Sequence, residues 1–139
     1  VRAGLNMVPP GPRVILIHDA ARPLIRAEQI TAVVRAAEKY GAAILAAPVT
    51  DTIKKASGGS VTGTVDRSQL WRAQTPQGFK VSVLKSSHIG RKKTPATDDS
   101  QMVERIKGKV HIVPGDDRNI KITTPIDLEI ASWLLKKKN

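Results

Sequence analysis

Hydrophobic and polar positions follow three distinct rhythms along this chain. The run Arg13-Val14-Ile15-Leu16-Ile17-His18-Asp19 is continuously apolar at its centre and rich in branched residues. The turn-forming Pro9-Pro10-Gly11-Pro12 ahead of it predicts a buried strand entered from a turn. Over residues 27–40 the spacing changes. Ile30, Val33, Val34 and Ala37 recur at helical intervals, and Gly41 stands where a left-handed cap ends a helix. A second apolar run, residues 42–49, predicts another buried strand. Strand, helix and strand in so short a span make a βαβ unit, whose right-handed crossover implies a parallel sheet.

The third rhythm is polar and β-prone. Thr52-Ile53-Lys54-Lys55-Ala56 and Val61-Thr62-Gly63-Thr64-Val65 flank Ser57-Gly58-Gly59-Ser60, which reads as a hairpin. Its strands are too polar for a core pair, and a lone two-stranded ribbon is marginal unless it packs on something. It is therefore expected to project as an arm that a partner subunit would steady. Residues 81–89 suit a short helix. Asp98 is placed to cap the next helix, with Gln101 completing a capping box. Residues 109–114 read as a strand, and Asn119-Ile120-Lys121-Ile122 alternates as an edge strand does, Asn119 and Lys121 sharing one face. Thr124-Pro125-Ile126-Asp127 is a strong helix start, and Ile126, Ile130 and Leu134 share a face of that last helix. There is no internal repeat or low-complexity tract.

Length and composition narrow this picture. At 139 residues and 40% hydrophobic, residues 1–139 form one domain around one core. No apolar run approaches the roughly 20 residues that span a bilayer, so a soluble protein is expected; its expected location is the cytoplasm, or the stroma for a plastid-bearing source. The absence of cysteine excludes disulfides, thiolate nucleophiles and thiolate metal sites. The opening Val1-Arg2-Ala3-Gly4-Leu5 looks like the middle of a helix, which suggests that something precedes it. A formal net charge of +11 favours anionic partners, phosphates first. Part of that excess is the tail Lys136-Lys137-Lys138, best read as a solvated helix end.

Open α/β sheets bind ligands beyond the carboxyl ends of their strands. Asp19 and Arg22 follow the first such end and Thr50 to Thr52 the second. An acid at position 19 could hold a divalent cation or a ribose hydroxyl, and Arg22 could fork onto a phosphate. On spacing alone, Asp19 capping the turn and pairing with Arg22 is as good a reading. The segment Arg67-Ser68-Gln69-Leu70-Trp71-Arg72-Ala73-Gln74-Thr75-Pro76-Gln77-Gly78-Phe79 gathers cations, amides and a Thr beside a rigid Thr-Pro turn. It suits a phosphorylated, hydroxyl-bearing substrate, with Trp71 and Phe79 as loop anchors. Lys121 is a candidate point charge for a phosphate, or an ordinary solvated lysine. The three histidines lack metal-ligand spacing and read as structural. Neither a nucleophile elbow nor a Walker loop is present.

Five motifs in order carry a resemblance: His18-Asp19-Ala20-Ala21-Arg22-Pro23; Ala47-Pro48-Val49-Thr50-Asp51-Thr52-Ile53-Lys54; Val65-Asp66-Arg67 with Gln74-Thr75-Pro76-Gln77-Gly78-Phe79; Thr97-Asp98-Asp99; and Asn119-Ile120-Lys121-Ile122-Thr123. Together they resemble the 2-C-methyl-D-erythritol 4-phosphate cytidylyltransferases over residues 1–135. That resemblance implies a Rossmann-like α/β nucleotidyltransferase sheet, mainly parallel, and a homodimer clasped by hairpin arms over residues 49–71. It implies CTP and a polyol phosphate as substrates and Mg²⁺ or another divalent cation as cofactor. Asp19 and Ala20 would meet the nucleotide, and Asp19 the metal. Arg22, Thr97 and Lys121 of one subunit would hold the polyol phosphate, with Thr52, Arg67 and Thr75 supplied across the dimer. Lys121 and Arg67 would be the catalytic cations.

The family's glycine-rich loop over the triphosphate is missing from this sequence. The chain is therefore expected to be one piece of a larger protein and to turn over slowly alone. The competing enzyme reading is a cytidylyltransferase for ribitol 5-phosphate or another polyol phosphate. A basic nucleic-acid-binding domain is the remote alternative. Aromatics at 3%, scattered cations and the lack of a reading motif count against it.

Overall fold

The computed structural model describes residues 1–89 and 95–137; Lys138 of the basic tail lies outside them. A one-turn helix α1 (Arg2–Leu5) leads through the proline turn into strand β1 (Val14–Ile17), helix α2 (Ala27–Tyr40) and strand β2 (Ala42–Pro48). Gly41 ends α2 at φ 95°, a conformation that costs glycine nothing. The arm follows as β3 (Lys54–Ser57) and β4 (Ser60–Thr64). Its loop, Gly58-Gly59, has φ of 57° and 79°, the positive pair that a two-residue hairpin turn needs. Next come strand β5 (Trp71–Lys80), helices α3 (Val81–His88) and α4 (Asp99–Arg105), strand β6 (His111–Pro114) and helix α5 (Pro125–Lys136).

The main sheet runs β1-β5-β2-β6, and β3 and β4 form a separate two-stranded sheet. β5 is antiparallel to both its neighbours and β6 is parallel to β2. β1, β2 and β6 therefore point the same way, as the βαβ reading requires. However, β1 and β2 are not adjacent, because β5 lies between them. That strand is the main departure from the sequence reading, which made residues 67–79 a substrate-facing loop. Phe79, taken there as a loop anchor, is fully buried at the heart of the sheet, a stabilisation of roughly 2–3 kcal/mol.

The two faces of the sheet show why the strands read as continuous apolar runs: both sides are covered. On one face Val14, Leu16, Ala43, Leu45 and Val113 meet Val33 and Ala37 of α2. On the other, Ile15, Ile17, Ala42 and Phe79 meet Leu5, Leu84 of α3 and Val103 of α4. Alternate residues of one strand serve opposite layers, the period of two expected of β structure.

Two local expectations are corrected. Asn119-Ile120-Lys121-Ile122 is not a strand. It is a connector tied down by Ile122 N–H to the Ala21 carbonyl at 2.8 Å, so Asn119 turns inward while Lys121 turns out. At α4, Asp98 does cap, accepting from Gln101 N–H at 2.9 Å. The Gln101 side chain, though, accepts from Thr97 N–H at 3.1 Å, one residue earlier than a capping box would have it. The box at Thr124 is complete, with Asp127 as its reciprocal member.

Candidate active site

All three co-directional strands end at one rim, and the elements there converge on a cleft of about 360 Å³. Among its lining residues are Asp19, Arg22, Thr75, Thr97 and Lys121. A larger concavity of about 610 Å³, beside Arg13, Glu38 and Lys80, lies at the opposite end of β1 and gathers no residue from the sequence motifs.

The rim is shaped by an irregularity in β5. From Ile44 to Ala46, β2 advances two residues while β5 advances four, from Gln77 to Ala73. The two extra residues form a bulge that contains the cis Thr75-Pro76 bond, and bulges commonly re-aim side chains at functional rims. Gln74 and Gln77 on either side are 5% and 3% exposed, so each amide must find partners inside the protein. Gln77 bridges to α4, donating to Asp98 Oδ2 at 2.9 Å and accepting from Ser100 N–H at 3.1 Å. It thereby fixes the helix start that carries Thr97 to the cleft. Gln74 donates to the Asp116 carbonyl at 2.8 Å.

Within the cleft, Asp19 Oδ2 lies 3.0 Å from Lys121 Nζ and 3.7 Å from Arg22 Nε. The Arg22 side chain is 13% exposed, and burial lowers its pKa, although an arginine keeps its charge. Its Nη1 donates to the Asn119 carbonyl at 2.7 Å, which fixes the guanidinium plane. Lys121 is 46% exposed, so its ammonium faces the open cleft as well as Asp19. The Thr75 hydroxyl accepts from Asp19 N–H at 3.0 Å and lies 3.0 Å from His18 Nδ1. His18 Nε2 faces the Arg22 carbonyl at 3.2 Å, so that nitrogen carries the proton and Nδ1 accepts from Thr75. Burial raises the pKa of Asp99, which pairs with His88 at 3.4 Å.

Of the sequence candidates, Asp19, Arg22, Thr75, Thr97 and Lys121 come together. Ala20, Thr52 and Arg67 do not line this cleft; Thr52 and Arg67 lie on the exposed arm segment, where Arg67 donates to the Thr50 carbonyl. Thr75 was expected from across a dimer. Instead it braces Asp19 and His18 of its own chain, because the bulge that carries it is part of the central sheet. The buried amides Gln74, Gln77 and Asn119 were missed as structural members of the site. The polar character of Gln74 and Gln77 signalled substrate contact, which nothing in the spacing distinguishes from a satisfied interior amide, and Asn119 was expected only to share a strand face with Lys121.

For a divalent cation the protein offers little: among the described residues no three His, Cys, Asp or Glu come together. Mg²⁺ commonly takes one or two carboxylates and completes its shell with substrate phosphates and water. Asp19, partly exposed in the cleft, meets that minimum.

Comparison with known proteins gives the family and the fold. The family model for 2-C-methyl-D-erythritol 4-phosphate cytidylyltransferase (IspD) matches residues 1–137. A protein of that name from Bacillus velezensis is 46% identical, the match covering 100% of this chain and 61% of the relative. One from Bacillus licheniformis is 48% identical, over 88% of this chain and 54% of the relative. The chain thus spans little more than half the length of these curated relatives. The crystal structure of the Thermus thermophilus enzyme superposes with a TM-score of 0.87 at 34% identity, covering 96% of this chain and 66% of that one. The chain belongs to the 2-C-methyl-D-erythritol 4-phosphate cytidylyltransferase family.

Proposed function

We propose that the protein carrying this chain joins CTP to 2-C-methyl-D-erythritol 4-phosphate and releases pyrophosphate. The observation that carries the reading is the meeting of Asp19, Arg22, Thr97 and Lys121 in one cleft. A phosphate oxygen of the polyol phosphate attacks the α-phosphorus of CTP. A new P–O bond forms as the bond from that phosphorus to the bridging oxygen of the β-phosphate breaks, and pyrophosphate departs with the electron pair. The attacking phosphate is already ionised at neutral pH, so no general base is required, and catalysis is positioning and charge stabilisation.

Arg22, held by Asn119, presents its charge in a fixed direction; Lys121, nearly half exposed, exchanges its contact with Asp19 for one with phosphate. Thr97 adds a hydroxyl from the start of α4. The Thr75 hydroxyl reaches the phosphate only by giving up His18. Asp19 and the triphosphate would hold a Mg²⁺ ion, whose charge offsets that of the pyrophosphate. In the assembled protein a second copy would bring Thr52 and Arg67 on its arm to this cleft, with Arg67 acting on the transferring phosphoryl group.

The test is pyrophosphate release by the full-length protein with CTP and Mg²⁺, comparing methylerythritol phosphate with ribitol 5-phosphate. The expected result is a kcat/KM for methylerythritol phosphate at least tenfold higher. A preference for ribitol 5-phosphate, or release with neither, rejects the assignment.

A further inference from the structure

Asn119 is 1% exposed and does not line the cleft, yet its bonds run to three parts of the site. Its Nδ2 donates to the Thr75 carbonyl at 2.9 Å and to Gln74 Oε1 at 3.2 Å. Its backbone carbonyl accepts from Arg22 Nη1 at 2.7 Å. Thr75 is joined to His18 and His18 to the Arg22 carbonyl, which closes a ring: Asn119, Thr75, His18, Arg22 and back to Asn119. Gly115 leaves room for Gln74, the second acceptor of Asn119 Nδ2, since a Cβ there would lie 2.7 Å from Gln74 Oε1.

The orientation of the amide is fixed, because both partners of Nδ2 are acceptors. Among the described residues, Oδ1 is then buried without a donor. Such an atom carries the desolvation penalty of a buried polar group with no bond to offset it. An apolar side chain of the same branching would fill the space without that cost. What the carboxamide adds is a pair of donors aimed at the β5 bulge, while its own backbone grips Arg22.

We propose that Asn119 is a positioning residue, which locks the Thr75 bulge to the Arg22 guanidinium so that Arg22 and Lys121, two residues further on, face the same phosphate. The inference rests on the polyol-phosphate reading of the cleft. It assigns Asn119 an effect on that substrate and none on CTP.

The experiment is Asn119→Leu in the full-length enzyme, with four readouts. The KM for methylerythritol phosphate should rise by about tenfold, the size of one to two lost hydrogen bonds. The KM for CTP should stay within about twofold, and the unfolding temperature within the few degrees expected of a small stability change. The Arg22 Nε–H signal in a nitrogen–proton NMR spectrum, recorded without substrate, should broaden as the guanidinium loosens. An unchanged KM for methylerythritol phosphate overturns the proposal. So does an equal rise in both KM values with a large fall in unfolding temperature, the signature of a merely structural residue. Should the leucine variant not fold, Gln74→Met removes one acceptor of the clamp; it should raise the same KM by about threefold, and no change there overturns the proposal equally. The substrate-free Arg22 signal separates the two levels of inference. If the wild-type enzyme ignores methylerythritol phosphate, the functional reading fails, whereas an Arg22 signal unmoved by the substitution sinks the clamp itself.

Discussion

Lys121 and Arg22 both carry a positive charge into the cleft, and the protein treats them differently. Arg22 is pinned by Asn119 and backed by Asp19, whereas Lys121 keeps one contact and nearly half its surface in water. An exposed ion pair of that kind stabilises the fold by about 1 kcal/mol at most. Removing it should leave the fold intact while removing charge from the transition state. Lys121→Gln is therefore expected to keep the unfolding temperature within a few degrees and to lower kcat by about 10²–10³, the scale of losing one charged donor to the transition state. Circular-dichroism melting together with steady-state pyrophosphate release checks both halves. A parallel loss of stability would recast Lys121 as a structural partner of Asp19.

Among the elements, α5 depends most visibly on local chemistry. Hydrogen bonds from Thr123 and Thr124 hold the Asp127 carboxyl down to about 2, well below the usual carboxylate range. A carboxyl whose pKa is lowered in the folded state stabilises that state above its unfolded pKa, and the contribution is lost as pH falls through the folded value. The first turn of α5 should thus stay protected from near neutrality down to about pH 4 and fray between about pH 4 and 2. Amide exchange at Thr124 and Asp127 measures this; protection unchanged at pH 2 would contradict it. Such local chemistry also decided what could be read from the sequence. α2, β2, the hairpin and the α5 start are legible because periodicity, positive-φ glycines and caps are properties of neighbours along the chain. β5 was not. It holds Pro76 and Gly78, which argue against a central strand. Its buried amides are satisfied by Asp98, Ser100, Asp116 and Asn119, some of them more than 40 positions away. The motifs named Asp19, Arg22, Thr97 and Lys121, which the fold brings to one cleft; the scaffold that positions them consists of contacts distant in sequence.

At the scale of the molecule, the arm stands apart from the core. Among the described residues β3 and β4 pair only with each other, and Val61 of β4 exposes 65% of its surface. An unsupported two-stranded ribbon is marginal in water, which agrees with its proposed role in a dimer. In the proposed dimer Val61 lies at the contact, so Val61→Asp should shift light scattering towards monomer, because a charge would be buried there. Arg67→Ala should leave the dimer intact and lower kcat/KM at least tenfold. A variant that remains dimeric with Val61→Asp, or fully active with Arg67→Ala, removes that part of the assembly.

The order of strands also bears on how the molecule is made. β5 is the lateral partner of both β1 and β2, and it follows them in the chain with the whole arm between. As the polypeptide leaves the ribosome, the stretch Ala42-Ala43-Ile44-Leu45-Ala46-Ala47, destined for complete burial, emerges well before the residues that will flank it. Long-range pairing of this kind is slow and leaves edges open to other chains. For that interval the nascent β2 is the segment most in need of shelter.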